Sequence, residues 1–230
     1  MPSCNVNAPN DGLCDLGAVR QCSARIRELE HQVAQLQNLV RTDALTKLYN
    51  YRFFSETLPI EMERARRSGT SLSLILLDID FFKQFNDRWG HEAGNQALVH
   101  VADVIRRALR RLDFPCRYGG EEFALILPAT ELTCAITVAE RIKDSIANTP
   151  FALEQQIVRL TASLGVRSFS PTSGMTPESF ISSADAYLYS AKNMGRNQVK
   201  YTVVAPSNPQ STLVTDEEKD LLFGPGDEPL

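Results

Sequence analysis

The sequence predicts an α+β fold of the palm type, in which helices pack on a mostly antiparallel central sheet. The segment SLSLILLDID, residues 71–80, is an apolar run of strand length that ends in carboxylates, which is typical of a buried strand. PCRY and EEFALILP flank Gly119 and Gly120, which indicates a hairpin. Amphipathic helical segments alternate with these strands. This order suits helices on an antiparallel sheet better than a doubly wound parallel sheet.

The remaining elements follow from periodicity and end signals. NQALVHVADVIRRALRRL predicts a helix whose apolar stripe comprises Leu98, Val101, Ile105, Ala108 and Leu112. ELTCAITVAERIKDSI predicts a second helix, and IVRLTASLGVRSF, residues 157–169, predicts one further strand. Thr176 as N-cap and Pro177 in the first turn begin a last helix, which stops at Gly195.

The chain divides into a compact domain and three flanking segments. Residues 1–19 are polar and predict a disordered lead, and residues 203–230 predict a mobile tail with an apolar docking patch at residues 221–223. Residues 20–42 carry a heptad seam, formed by Cys22, Ile26, Leu29, Val33, Leu36 and Val40. We favour a coiled-coil stalk for this segment, with an amphipathic helix packed on the domain as the alternative. The compact domain spans residues 43–202.

Composition limits the classes of function. A formal net charge of -4 and a pI near 5.5 argue against a nucleic-acid binder. No apolar run approaches the roughly 20 residues that span a bilayer, and the N-terminus has no secretory pattern, so we expect a cytoplasmic protein without a membrane partner. Five cysteines without a CxxC pair predict free thiols.

Carboxylates follow the predicted strand and flank the predicted turn. Asp78 and Asp80 end the strand, and Glu121 and Glu122 follow the glycine pair. Such carboxylates repel one another unless a cation lies among them, and hard oxygen ligands suit Mg²⁺. Mg²⁺ held by few carboxylates completes its shell with water and phosphate oxygens, which points to a nucleotide. The alternative is a plain β-turn with solvated acids.

Four motifs carry a resemblance to a known family. The four motifs are DALTKLYN, LLDIDFFKQFNDRWGHEAGN, RYGGEEF and DAYLYSAKNMGRNQV. In their order and spacing they resemble the motifs of the GGDEF-family diguanylate cyclases. The resemblance implies a nucleotidyl cyclase-like palm that condenses two GTP into cyclic di-GMP and two pyrophosphates. It also implies a homodimer, because each site holds one of the two GTP molecules. We expect the stalk to pair the two domains, and a regulatory protein to act on the stalk.

The resemblance also assigns residues to the active site. The metal ligands are Asp78, the Ile79 carbonyl and Glu121, which hold two Mg²⁺ with Mn²⁺ as a substitute. Glu122 assists the metals or takes the proton. Gly119 and Gly120 make room for the nucleotide. The phosphate contacts are the backbone N–H groups of Phe81 and Phe82 and the side chains of Lys83, Lys192 and Arg196.

Base recognition is where the sequence departs from the family pattern. Asn86 matches the usual Asn, but Asn95 stands where Asp is usual. An amide accepts through one oxygen, whereas the guanine edge offers two adjacent donors, so relaxed selectivity is one interpretation. The interpretation we favour is that Asn95 is an adequate acceptor that also caps the following helix.

An RxxD motif before the signature resembles the family's product-binding site. Arg110 and Asp113 have its spacing, and Arg141 matches a secondary contact, so cyclic di-GMP is expected as inhibitor as well as product. Two alternatives to a diguanylate cyclase stay open. One is a promiscuous dinucleotide cyclase that also accepts ATP, and the other is a catalytically silent cyclic di-GMP receptor or scaffold.

Overall fold

A five-stranded sheet forms the centre of the domain. The computed structural model describes residues 25–29, 32, 41–153 and 156–202. The strands are β1 (Leu72–Ile79), β2 (Phe114–Arg117), β3 (Glu122–Pro128), β4 (Phe151–Leu153), β5 (Gln156–Val158), β6 (Ala162–Phe169) and β7 (Val199–Tyr201). The sheet order is β2-β3-β1-β6-β7, and only the edge pair β6–β7 is parallel. The predicted α+β fold with a mostly antiparallel sheet is therefore confirmed, as is the β2–β3 hairpin.

Two layers of helices cover this sheet. The helices are α1 (Tyr51–Ser68), α2 (Phe82–Ala108), α3 (Leu132–Asn148) and α4 (Pro177–Asn193). Because side chains of a strand alternate between faces, Ile75 and Leu77 of β1 pack with α2 and α3, whereas Leu74 and Leu76 pack with α1 and α4. All eight residues of β1 are buried. The strand that carries Asp78 is thus held rigidly in the middle of the domain.

The predicted start of the last helix, α4, is confirmed, but the predicted C-terminal end of α2 is wrong. Thr176 caps α4 by accepting a hydrogen bond from Ser179 N, and Pro177 is the first helical residue. The predicted apolar stripe ended at Leu112, but α2 ends at Ala108 and Leu112 is 77 % exposed. The cause is a local turn, in which Arg110 N donates to Asp113 Oδ2 and competes with the helical hydrogen bonds.

Two further predictions are corrected, namely the single strand at residues 157–169 and the capping role of Asn95. The single strand predicted for residues 157–169 is two strands, since β5 pairs with β4 in a separate two-stranded sheet. The break falls where Thr161 O accepts a hydrogen bond from Asp80 N. Asn95 does not cap a helix, because the break in α2 lies at Gly90, with φ 82° and ψ 163°, and Asn95 follows inside the second segment.

The flanking segments are described only in small part. Residues 25–29 and 32 are helical, and Ile26 and Leu29 are 51 % and 44 % exposed. The predicted stalk does not continue to residue 42, because Thr42 forms an antiparallel β-bridge with Tyr49. The other stalk residues, the lead at 1–19 and the tail at 203–230 lie outside the described residues, so these remain predictions. Within the described ranges, the structure has no helix with the length and apolar character of a membrane span.

Candidate active site

The acidic edge of the sheet is built by β1 and the β2–β3 turn. Asp78 lies opposite Glu122 in the β1–β3 register, and Ile79 N donates to Glu121 O at 3.3 Å. The turn is closed by Tyr118 N and Gly119 N, which both donate to Glu122 O. A Cβ at Gly119 would lie 2.5 Å from Glu122 Oε2, whereas a Cβ at Gly120 would meet open space. Gly119 therefore leaves room for the Glu122 side chain, and Gly120 borders the open side of the turn.

The two innermost carboxylates, Asp78 and Glu121, lie in an environment that disfavours their negative charge. Asp78 is 6 % exposed, and its Oδ2 pairs with Lys192 Nζ at 2.7 Å. Burial raises the pKa of Asp78 despite this ammonium group. Burial and then the charge of Asp78 raise the pKa of Glu121. A cation between the two carboxylates would relieve this cost of ionisation.

The first of two adjoining cavities, the phosphate cavity, has a volume of about 280 Å³ and opens beside these carboxylates. It is lined by Asp78, Ile79, Phe81, Phe82, Lys83, Gln84, Glu121, Lys192 and Arg196. Its floor is the beginning of α2, where the N-cap Phe81 makes no side-chain capping bond. The first N–H groups of a helix have no partner within the helix and attract anions. Three cationic side chains and a helix N-terminus therefore face one small cavity, which suits a polyphosphate.

The second cavity, the base cavity, has a volume of about 250 Å³ and shares Phe82 and Glu121 with the first. Its other lining residues are Asn86, His91, Gly94, Asn95, Leu98, Arg117 and Gly120. Asn86 Oδ1 is buried here, and no hydrogen-bond partner for it is found within the described residues. A Cβ at Gly94 would overlap this same oxygen. A buried acceptor without a partner indicates a ligand that donates to it.

Asp80 has a different role from the one its position in the motif indicates. Its carboxylate accepts hydrogen bonds from Thr161 Oγ1 and Ser163 Oγ, both at 2.7 Å, and from Asn197 N at 3.0 Å. Asp80 is buried. The prediction that it joins the other carboxylates at a cation site is wrong, because its oxygens already connect β1 to β6 and to the loop before β7.

A separate cavity of about 610 Å³, the arginine cavity, lies between the end of α2 and α3. Arg107, Arg110 and Arg141 line it, together with apolar residues that include Val138. Asp113 is buried beside it, and burial raises the pKa of Asp113 despite the hydrogen bond from Arg110 N. Arg141 Nη2 donates to Ala108 O, which holds α3 against the end of α2. The structure thus brings Arg110 and Arg141 to one cavity, whereas Asp113 is not among its lining residues.

Fold and site together define a palm domain in which an acidic edge lies beside a helix N-terminus and three cationic side chains. Comparison with known proteins agrees with this class of domain. The family model described as diguanylate cyclase, GGDEF domain, matches residues 40–198. The chain belongs to the GGDEF family. The response regulator PleD of Caulobacter vibrioides is 41 % identical over 163 residues, which cover 70 % of this chain and 36 % of PleD. The chain therefore spans about a third of the length of that relative.

Two solved structures extend the likeness beyond the conserved domain. The coiled coil and GGDEF domain of DgcB from Caulobacter crescentus, in complex with c-di-GMP, is 33 % identical with a TM-score of 0.68, covering 81 % of this chain and 98 % of that one. The diguanylate cyclase SiaD from Pseudomonas aeruginosa, in complex with its activator SiaC, is 38 % identical with a TM-score of 0.68, covering 81 % and 72 %. Both matches cover more of this chain than the family model does.

Five residues that line the two cavities were not identified as site residues from the sequence: Gln84, His91, Gly94, Leu98 and Arg117. His91 and Gly94 lie within a quoted motif, but nothing in their residue types indicates that they reach the base cavity. Arg117 precedes the glycine pair, and its guanidinium donates to Gly120 O at 2.9 Å and pairs with Asp43 at 3.2 Å. Arg117 therefore holds the turn against the DALTKLYN segment. Its place directly before the turn is the signal that could have revealed this.

Proposed function

We propose that this protein is a diguanylate cyclase, which condenses two GTP into cyclic di-GMP and releases two pyrophosphates. The observation that carries the proposal is the meeting of the two cavities at Phe82 and Glu121. One cavity has the charges that suit a triphosphate, and the other has an unpartnered amide oxygen that suits the N–H groups of guanine. A purine nucleoside triphosphate is the ligand that uses both at once.

The residues at the acidic edge fit Mg²⁺. Mg²⁺ in proteins is commonly bound by one or two carboxylates, with substrate phosphates and water completing its shell. Asp78 and Glu121 would supply the carboxylates and Ile79 a carbonyl, and the raised pKa values of both acids support a cation between them. When bound, Mg²⁺ lowers the pKa of the attacking hydroxyl and stabilises the pyrophosphate leaving group.

The chain's own residues bind and orient the nucleotide. Lys83, Lys192 and Arg196 neutralise the triphosphate, whose oxygens also accept from the N–H groups of Phe81 and Phe82. Asn86 orients the base, so that the α-phosphate lies near Glu121 where the two cavities join. Glu122, on the neighbouring side of the turn, takes the proton of the attacking 3′-hydroxyl or supports the metal ligands.

The condensation of two GTP requires two copies of the domain. Each site holds one GTP, so the 3′-hydroxyl in one domain must reach the α-phosphate in the other. A paired stalk raises the effective concentration of the second domain to the order of millimolar. The exposed Ile26 and Leu29 support the stalk over a helix packed on the domain. The structure of SiaD in complex with its activator supports a regulatory protein partner, for which the stalk is the proposed binding segment.

The role of the stalk is tested by dilution. Removal of residues 1–40, or Leu29→Asp combined with Leu36→Asp, should lower activity steeply at nanomolar protein, and fusion to a strong parallel coiled coil should restore it. Equal activity of the truncated and full chains at that concentration would remove the stalk from the proposal.

The arginine cavity supports feedback by the product. Cyclic di-GMP presents two phosphates and two guanine edges, which Arg110 and Arg141 can bind through their forked donors, with Asp113 as an acceptor. DgcB was solved in complex with c-di-GMP. The expected behaviour is synthesis that slows as product accumulates.

The deciding experiment is incubation of the full chain with GTP and Mg²⁺, followed by identification of the product by mass spectrometry. Cyclic di-GMP from the unmodified chain, and none from Asp78→Asn, is the expected result. Binding of cyclic di-GMP without any synthesis would instead favour the silent receptor.

A second candidate activity rests on Asn95, which lines the base cavity with an amide. An amide at position 95 offers one acceptor oxygen where a carboxylate would offer two, so guanine is held less selectively and some ATP could enter. An equimolar mixture of GTP and ATP would then yield mixed dinucleotides, and Asn95→Asp would suppress them. Exclusively guanine products from the unmodified chain would reject this activity.

A further inference from the structure

Two consecutive residues at the start of α2 hold two consecutive residues of the loop between α4 and β7. Asp80 Oδ2 accepts the hydrogen bond of Asn197 N at 3.0 Å. The next residue, Phe81, lies under the guanidinium of Arg196, with Arg196 Cζ 4.4 Å from the ring centroid. This distance is well within the roughly 6 Å at which a cation is attracted to an aromatic face. The phosphate cavity is therefore closed on one side by a ring and a guanidinium in contact.

Phe81 is an unfavourable residue for its own backbone position. Its φ of 58° and ψ of 25° lie in the left-handed region, where Gly, Asn and Asp are the favoured residues. It is also the N-cap of α2, and it makes no side-chain capping bond. Burial does not account for the phenyl ring either, because Phe81 is 53 % exposed. Its contact with Arg196 is the feature that favours an aromatic residue here.

The loop fixes the backbone of Arg196, and the contact with Phe81 restricts its long side chain. Gly195, Arg196 and Asn197 have φ values of 111°, 62° and 46°, and Arg196 N donates to Ala191 O at 3.0 Å. No ion pair of the Arg196 guanidinium is found within the described residues. Arginine loses much rotamer freedom when it becomes ordered, so a surface that restricts it in advance lowers the cost of binding.

We propose that Phe81 is a positioning residue, whose ring holds the Arg196 guanidinium at the phosphate cavity before the nucleotide binds. The ring attracts the guanidinium charge without accepting its N–H groups as a carboxylate oxygen would, so those donors stay available for phosphate oxygens. A carboxylate partner would occupy those donors, as Asp78 occupies an ammonium donor of Lys192. The inference rests on the proposed function only in taking a triphosphate as the ligand of this cavity.

The experiment measures the dissociation constants of Mg-GTP and of inorganic tripolyphosphate with Mg²⁺ by calorimetry on the full chain, beside KM and kcat. Phe81→Leu should weaken both ligands by about two- to fivefold, whereas Phe81→Tyr should retain affinity because it retains the ring. The loss should appear in KM rather than in kcat. Equal affinities of the Leu variant and the unmodified chain would overturn the proposal.

Phe81→Asn separates positioning from a structural role. Asn tolerates the left-handed backbone better than Phe does, so this variant should melt at a higher temperature than the unmodified chain and yet bind both ligands more weakly. A purely structural Phe81 predicts that stability and affinity fall together, and that result would contradict the positioning role.

A double-mutant cycle identifies Arg196 as the residue that Phe81 acts through. In an Arg196→Gln background, Phe81→Leu should cause no further loss of affinity, and additive losses would refute the coupling. Tyr189→Ala is the matched control, because Tyr189 on α4 is another aromatic residue that is 66 % exposed.

Weakened binding in the Phe81 series without any cyclic dinucleotide synthesis by the unmodified chain would reject the proposed function alone. Synthesis with unaltered binding across the series would reject the positioning role alone.

Discussion

The acidic edge and the arginine cavity both place a buried carboxylate beside basic side chains, but they distribute the charges in opposite ways. At the acidic edge, Asp78 is paired with Lys192, and Glu121 adds a second carboxylate that the phosphate cavity exposes. At the arginine cavity, three guanidinium groups line the space, and the Asp113 carboxylate lies outside the lining, where it accepts a hydrogen bond from the backbone of Arg110. The first site therefore suits a cation together with an anionic substrate, and the second suits an anion alone.

The largest expected effect comes from removing charge at the acidic edge. Asp78→Asn and Glu121→Gln should each lower cyclic dinucleotide synthesis by about a hundredfold to a thousandfold, because each removes a ligand charge at the reacting phosphate. Product formation from Mg-GTP, measured by chromatography, checks this, and activity within tenfold of the unmodified chain would remove the metal assignment.

Asp80→Asn is the matched control for these two variants. Asp80 accepts three hydrogen bonds and lines neither of the two nucleotide cavities. Loss of charge there should lower the melting temperature by several degrees, since charge-assisted hydrogen bonds contribute about 1.5–3 kcal/mol each. Stability lost at Asp80 and chemistry lost at Asp78 would separate two carboxylates that lie two residues apart.

The next effect concerns the arginine cavity. Arg110→Ala should raise the concentration of cyclic di-GMP that halves the initial rate by about tenfold or more, because a charge-assisted contact to the product is lost. Arg111→Ala is the control, since Arg111 is an exposed neighbour that does not line the cavity. Inhibition that is unchanged in Arg110→Ala would mean that the product acts elsewhere.

A smaller effect tests how tightly the base cavity is built. The added methyl of Gly94→Ala would overlap Asn86 Oδ1 and displace the amide that orients the base, so KM for GTP should rise by several-fold to about tenfold. Gly174→Ala is the control, because a Cβ at Gly174 would meet no atom within 4 Å. An unchanged KM in Gly94→Ala would show that Asn86 does not contact the base.

The smallest expected effect is on the melting temperature, which we compare between variants of Asp78 and Asp113 as pH and Mg²⁺ are changed. Burial raises the pKa of both, so folding disfavours both ionised forms, and the stability they contribute at low pH is lost as pH rises through their folded pKa values. Asp78→Asn and Asp113→Asn should therefore each melt slightly above the unmodified chain at pH 7, with the difference shrinking on acidification. Added Mg²⁺ should stabilise the unmodified chain and Asp113→Asn but not Asp78→Asn. Equal stabilisation of all three would place the Mg²⁺ elsewhere.

Asp43 provides a control of opposite sign for the pH experiment. Burial opposes its ionisation, but hydrogen bonds from Thr46 and the charge of Arg117 hold the pKa of Asp43 below its usual value. Its contribution is present at neutral pH and lost as pH falls through the folded pKa, so Asp43→Asn should melt below the unmodified chain at pH 7. A series of calorimetric scans from pH 7 down to roughly pH 2, which passes below the usual aspartate value of 3.8, checks both signs.

What the sequence could predict was governed by local signals. The apolar run before Asp78 and the turn at Gly119 and Gly120 are read within a few residues, and both were placed correctly. Thr176 and Pro177 likewise begin α4 as predicted. The motifs indicated which carboxylates and cations would meet, and the structure brings Asp78, Glu121, Lys192 and Arg196 to one cavity.

The errors arose where a distant or competing interaction decides the outcome. The role of Asp80 depends on hydrogen bonds to Thr161, Ser163 and Asn197, all of which lie more than 80 positions away along the chain. Leu112 continues a helical stripe, but the Asp113 side chain ends the helix before it. Phe81 carries no signal of a left-handed backbone, since its residue type argues against one.

The edge strand β7 gives the phosphate cavity a mechanical connection to the rest of the chain. β7 has only three residues, lies at the border of the sheet and begins three positions after Arg196. Tension applied after residue 202 would peel this strand from β6 and pull directly on the loop that carries Arg196. A fused domain or a binding partner that pulls at that point would thus lower the affinity for the nucleotide without contacting it.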